Sequence, residues 1–252
     1  MKALILAAGK GTRLKPLTDY VPKPMVPLHG KPLLEWVLLQ LLAYGIRDYV
    51  FATSYLADQI ENYFNDGDRW GARIAYSRGA APAGKAGEVW RARDLLEAEA
   101  DFLVVPGDTL CHLDYNALLD FHHRCGSLVS VALSTRYRLE VGLAEVDEAM
   151  RITRFLEKSN LDKPVSTGTY VLNQAIFPYI ERFSPEWREV DLPADVFPLL
   201  LQEGETIGGF VRDYEWWDVG RLNDYEALVK MPAQQAAQVL SGHTGVSGLH
   251  AH

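Results

Sequence analysis

Residues 3–8, Ala-Leu-Ile-Leu-Ala-Ala, run without a polar interruption into the loop Gly9-Lys10-Gly11-Thr12-Arg13. A short, continuous apolar run reads as a buried strand, and glycines at its end mark a loop. Gly9 and Gly11 lack the Cβ that would hold a ligand away from the backbone, so main-chain amides there can face an anion. Arg13 and Lys23 then add fixed positive charge. Bare amides followed by an arginine and a lysine suit a polyphosphate.

The alternation continues through the first half. Apolar periodicity predicts helices over 33–43, 57–64, 87–96 and 116–124, the first closed by Gly45, and strands over 47–54, 73–77 and 101–105. Strands alternating with helices imply an α/β fold with a parallel sheet, helices on both faces and ligands at the carboxyl ends of the strands. The pattern changes after residue 127. Strands over 127–134, 142–146, 151–158 and 169–172 follow one another with few long helices between them, so this half is expected to be mixed or antiparallel. A helix over 195–202, a strand over 206–214 and a helix over 223–230 complete a domain spanning 1–231, with halves 1–126 and 127–231. The tail, 232–252, is rich in Ala, Gln, Ser, Gly and His and is expected to be peripheral.

Composition narrows the partners. A chain of 252 residues with 48% hydrophobic and 23% charged residues is an ordinary globular protein. A formal net charge of −8 argues against a nucleic-acid partner. Yet Lys2, Lys10, Arg13, Lys15 and Lys23 precede all but one of the acidic residues, as suits a small anion bound locally. Two cysteines, Cys111 and Cys125, give neither a disulfide framework nor metal-ligand spacing. The first apolar run is too short for a signal peptide and nothing approaches a membrane span, so a cytoplasmic setting without a membrane partner is expected.

Several other stretches bear chemistry. Gly107-Asp108 puts a carboxylate where an apolar strand ends, to meet a ligand or to cap a turn. Trp216-Trp217-Asp218 reads as core packing plus a turn, and Glu157-Lys158 as a solvated charge pair. Residues 79–85 fit the G-x-x-x-x-G-K phosphate loop, but Ala86 stands where a Ser or Thr hydroxyl must bind Mg²⁺. Leu14 stands where a dinucleotide fingerprint needs its third glycine. His122 and His123 lack partners at ligand spacing and read as a surface pair.

The segment Leu6-Ala7-Ala8-Gly9-x-Gly11-Thr12-Arg13-Leu14, followed ten residues after the arginine by Lys23-Pro24, resembles the signature of sugar-1-phosphate nucleotidylyltransferases. The resemblance spans about residues 2–228. It implies a Rossmann-like three-layer sandwich with a mostly parallel mixed sheet, of the glycosyltransferase-A-like nucleotidyltransferase kind. It also implies transfer of a nucleoside monophosphate from a triphosphate to a sugar 1-phosphate. On that likeness Ala8, Gly9, Gly11, Thr12 and Arg13 wrap the nucleotide, with Gly84 and Gly87 beside the base. Arg13 and Lys23 hold its phosphates, and Asp108 and Asp218 bind Mg²⁺. Glu157 contacts sugar hydroxyls, Lys158 the sugar phosphate, and Gly142 and Thr167 the sugar. Thr167 replaces the usual Asn, Lys85 the usual Thr, and Ser159 the usual Pro. The Leu-Ala-Ala-Gly form leans towards UTP or dTTP; guanylyl or cytidylyl transfer, the latter even to a non-sugar phosphate, stays open, as does homo-oligomerisation. A phosphate loop at 79–85 is the alternative from another class, and a binding module with a decayed site a third. No hexapeptide repeat occurs, so no fused acyltransferase is expected.

Overall fold

A computed structural model describes residues 1–137, 143–156, 163–184, 188–220 and 222–241. Seven strands form one sheet: β1 (Lys2–Leu6), β2 (Asp48–Thr53), β3 (Arg73–Arg78), β4 (Asp101–Pro106), β5 (Val129–Ser134), β6 (Val165–Asn173) and β7 (Ile207–Arg212). Their order is β7-β5-β6-β4-β1-β2-β3, with β6 antiparallel to its neighbours and every other pairing parallel. The helices are α1 (Leu33–Ala43), α2 (Ala57–Phe64), α3 (Gly84–Arg91), α4 (Arg93–Leu96), α5 (Tyr115–Cys125), α6 (Phe177–Glu181), α7 (Phe197–Gln202), α8 (Leu222–Val229) and α9 (Ala233–Ser241).

The central strands are continuously apolar because both sheet faces are covered. Successive side chains point to opposite faces. Ala3, Ile5, Leu103 and Val105 pack with Leu34 and Leu38 of α1 and Phe64 of α2. Leu4, Phe102 and Val104 pack with Val89 and Trp90 of α3 and with Ile180 and Leu200. The result is the expected three-layer α/β sandwich.

Three differences from the sequence reading have physical causes. The second half is mixed, as its pattern implies, but its main strands join the first half's sheet: β5 and β7 extend it in parallel, and β6 inserts between β4 and β5, antiparallel to both. The local pattern of a strand identifies its faces but not its pairing partner. Leu143–Val146 and Ile152–Leu156 form a separate antiparallel pair. Second, the tail is not wholly peripheral. Its start forms α9, which places Ala236, Val239 and Leu240 in the core layer that includes α1; residues 242–252 lie outside the described residues. Third, the helix expected over 195–202 begins earlier, as a π-helical turn over Leu192–Val196 leading into α7.

The chain leaves β1 towards β2 and β3 and returns on its other side at β4. Loops after β1 and β4 therefore part in opposite directions, leaving a crevice at their carboxyl ends. This is where an open α/β sheet binds its ligand.

Candidate functional site

The crevice holds a cavity of about 230 Å³ whose lining includes Gly9, Gly11, Thr12, Arg13, Lys23 and Asp108. One wall is the glycine loop. Gly11 sits at φ +60°, and a Cβ there would lie 2.8 Å from Lys23 Cβ, so only glycine lets the loop pass so close to Lys23. The Thr18 hydroxyl donates to the Gly11 carbonyl at 2.9 Å and closes the turn. The amides of Gly9, Lys10, Gly11 and Thr12 donate to no protein group among the described residues. Arg13 is exposed and pairs with no described carboxylate. The loop thus presents unused donors and an uncompensated cation to the cavity.

The opposite wall is built by backbone pairing. The Gly107 amide donates to the Leu6 carbonyl at 2.9 Å, and a Cβ at Gly107 would lie 3.0 Å from the same oxygen. That close approach sets Asp108 beside the end of β1. A short ribbon follows, in which Thr109–Cys111 pairs antiparallel with Trp216–Asp218, Thr109 opposite Asp218. The Val219 amide donates to the Asp108 carbonyl at 3.2 Å. Two carboxylates 110 positions apart in sequence thereby become neighbours.

Between them lies Lys23. Its ammonium is 2.5 Å from Asp108 Oδ2 and 3.4 Å from Asp218 Oδ1, and its side chain is only 10% exposed. The family resemblance implies Lys23 on the phosphates and the aspartates on a metal. The structure joins all three in one ion triad, which no local pattern announces.

Other expected residues fall elsewhere. Gly84 and Gly87 do not line the cavity: the Ala86 and Gly87 amides both donate to the Val190 carbonyl, at 2.9 and 3.2 Å. A Cβ on Gly84, at φ +77°, would lie 2.4 Å from that oxygen. Lys85 pairs with Asp191 at 3.5 Å. The amides of Ala86 and Gly87 at the start of α3 are therefore already taken and unavailable to a phosphate held at 79–85. Thr167 is buried, its hydroxyl 3.2 Å from the Tyr214 hydroxyl and 3.4 Å from the Ala132 carbonyl. Ala8 is buried directly before the loop. Gly142, Glu157 and Lys158 lie outside the described residues.

His122 corrects the sequence reading too. It is buried, with Nδ1 2.8 Å from Ser130 Oγ and Nε2 3.3 Å from Asp101 Oδ1; His123 beside it is exposed. The partners sit on β4 and β5, out of reach of any spacing rule along α5. Burial, the larger influence, holds the imidazole pKa below its ordinary value even though Asp101 pulls it up. Ser130 is wholly buried, so this Asp-His-Ser arrangement pins α5 to the sheet and exposes no nucleophile. Neither Cys111 nor Cys125 is bridged.

A glycine loop with unused amides, facing an aspartate pair across the β1/β4 crevice, is the arrangement expected of a nucleotide-handling α/β protein. The model of the Nucleotidyl transferase family matches residues 2–235, and the chain belongs to that family. It is 35% identical to a UTP–glucose-1-phosphate uridylyltransferase of Synechocystis sp., over 91% of this chain and 63% of that protein. It is likewise 35% identical to a mannose-1-phosphate guanylyltransferase of Mycobacterium tuberculosis, over 98% of this chain and 69% of that protein. The chain thus spans less than two thirds of the Synechocystis relative. HddC from Yersinia pseudotuberculosis superposes with a TM-score of 0.70 at 25% identity, over 90% of this chain and 97% of its own. A putative glucose-1-phosphate thymidylyltransferase from Bacillus anthracis shares the fold, with a TM-score of 0.71 at 21% identity, over 92% and 96%.

Proposed function

We propose that this protein transfers a nucleoside monophosphate from a nucleoside triphosphate to a sugar 1-phosphate, giving a nucleotide-sugar and pyrophosphate. The observation that carries the reading is the Lys23–Asp108–Asp218 triad beside amides and an Arg13 that have no partner among the described residues. The Gly9–Thr12 amides would hold the triphosphate, and the Arg13 guanidinium would grip two of its oxygens through its planar fork. Lys23 would neutralise the departing pyrophosphate.

The aspartates also fit a divalent cation. Their oxygens converge on one positive group, and an oxygen-only set of two carboxylates completed by phosphates suits Mg²⁺. Bound by Asp108 and Asp218, Mg²⁺ would supply charge neutralisation at the phosphates. The sugar phosphate would attack the α-phosphorus in line, its P–O bond forming as the bond to the β-phosphate oxygen breaks. No protein nucleophile is required, and the residues act by positioning and charge. Glu157 and Lys158 are assigned to the sugar phosphate on family resemblance. The setting we assign is cytoplasmic, without nucleic-acid or membrane partners and with homo-oligomerisation left open; no helix among the described residues is long and apolar enough to cross a membrane.

The test is pyrophosphate release from UTP, dTTP, GTP, CTP and ATP, each with a panel of hexose 1-phosphates. UTP or dTTP is the expected donor, and GTP is the principal competitor because the mycobacterial guanylyltransferase is as similar as the Synechocystis enzyme. Release that requires both substrates supports the reading. Release from a triphosphate alone, or from no pair, overturns it.

A further inference from the structure

The ribbon carrying the aspartates is held from behind by a buried amide. Its pairing joins His112 to Glu215 and Val219 to Asp108, with amide-to-carbonyl distances of 2.9 and 3.2 Å. Hydrogen-bonded positions alternate along such a pair, so Cys111, between His112 and Leu110, directs its amide outward. That amide donates to Gln40 Oε1 at 3.4 Å. Gln40, on α1, is 1% exposed. Its Nε2 donates to the carbonyls of Val239 and Leu240 near the end of α9, at 3.2 and 3.4 Å. His112, next along the ribbon, lies 3.0 Å from the Gln238 carbonyl through Nε2. One side-chain amide therefore ties α1, the aspartate ribbon and α9 together, accepting from one and donating to the other.

We propose that Gln40, braced by α9, is a positioning residue for the Asp108/Asp218 pair: it holds the ribbon in the register that lets both carboxylates reach one cation. The proposal rests on the reading of those aspartates as the cation-binding pair. A buried amide with both ends engaged is replaced at a cost by any group that serves only one end. Gln40→Met fills the space and serves neither end. Gln40→Glu accepts from Cys111 as a carboxylate but sets negative charge against two carbonyls; once protonated, it can accept from Cys111 and donate to one of them.

The full chain is compared with Gln40→Met, Gln40→Glu and, as a control for lost stability, Ser130→Ala, which breaks the contact between β5 and His122 of α5. Measurements are melting temperature, the kcat and KM split, Mn²⁺ affinity by electron paramagnetic resonance with a non-hydrolysable triphosphate present, and the pH profile. Gln40→Met should lower kcat and weaken Mn²⁺ on the order of tenfold each, with the nucleotide KM changed by less than about twofold. Ser130→Ala should lose melting temperature without either change. Gln40→Glu should approach wild-type activity as the pH falls. The proposal is overturned if Gln40→Met matches wild type in kcat and Mn²⁺ affinity, or if Ser130→Ala reproduces its losses. If wild type transfers no nucleotide at all, the proposed function fails, while a Mn²⁺ affinity still dependent on Gln40 upholds the positioning role.

Discussion

The molecule contains two glycine-rich loops, each following a parallel strand and each with a glycine at positive φ. The first, after β1, leaves its amides without a protein acceptor among the described residues and places Arg13 against a cavity. The second, after β3, is closed upon itself. Val190 takes the Ala86 and Gly87 amides, Lys85 pairs with Asp191, and the buried Glu88 carboxylate accepts from the Ala83 amide at 2.9 Å and from Arg91 at 2.8 Å. A Cβ on Gly79 would lie 1.9 Å from Arg91 Nη1, so the Arg91 guanidinium packs directly against this glycine. Glycine spacing says where the backbone can come close to something. Whether that something is a ligand or the protein itself depends on which amides remain unused.

The comparison breaks or holds on a series of substitutions. The largest expected effect is at the first loop's partner wall: Asp108→Asn and Asp218→Asn should each lower turnover on the order of a thousandfold, with melting near wild type, because the charge-neutralising pair is lost. Near-normal turnover in both would remove the cavity from the chemistry. Gly84→Ala should cost about 2–4 kcal/mol of stability, since it combines an unfavourable positive φ with a backbone collision, and leave the nucleotide affinity of the folded fraction unchanged. Gly9→Ala should do the opposite. A Cβ there meets nothing within 4 Å, so denaturant melts should match wild type while nucleotide affinity falls about tenfold, the methyl occupying space a phosphate needs. If Gly9→Ala destabilised the fold and Gly84→Ala abolished binding, the two loops would have to exchange roles.

The smallest effect is at His122. Because its pKa is lower in the folded protein than in the unfolded chain, the unfolded chain binds the extra proton more readily. The stability tied to this residue is complete above the ordinary histidine pKa of about 6.5 and is lost as the pH falls through the depressed value. Thermal melts at intervals between pH 8 and about 5 should show this slope, and His122→Gln should flatten it. An unchanged slope would assign the acid sensitivity to other groups.

Much of the first loop was legible because its cause is local. An unbroken apolar run, two glycines and an arginine lie within a dozen residues, and strands covered on both faces advertise themselves by continuous hydrophobicity. Helix α2 could be read for the same reason, with Ala57, Ile60 and Phe64 on one buried face. The rest depends on contacts distant in sequence. Lys23 meets Asp218 across 195 positions, and Gln40 meets α9 across about 200. α9 itself was hidden by composition, since its Ala- and Gln-rich sequence offers only Ala236, Val239 and Leu240 as a sparse core-facing stripe. Thr167 is a sugar contact by family resemblance, and its burial against Tyr214, 47 positions away, has no local signal.

Calorimetric titration of the preferred triphosphate into wild type, Arg13→Ala and Lys85→Ala tests the assignment of the phosphate site most directly. Arg13→Ala should weaken binding on the order of tenfold or more, through loss of a charge-assisted, two-pronged contact, and Lys85→Ala should bind as wild type does. Loss of binding in Lys85→Ala with retention in Arg13→Ala would contradict it.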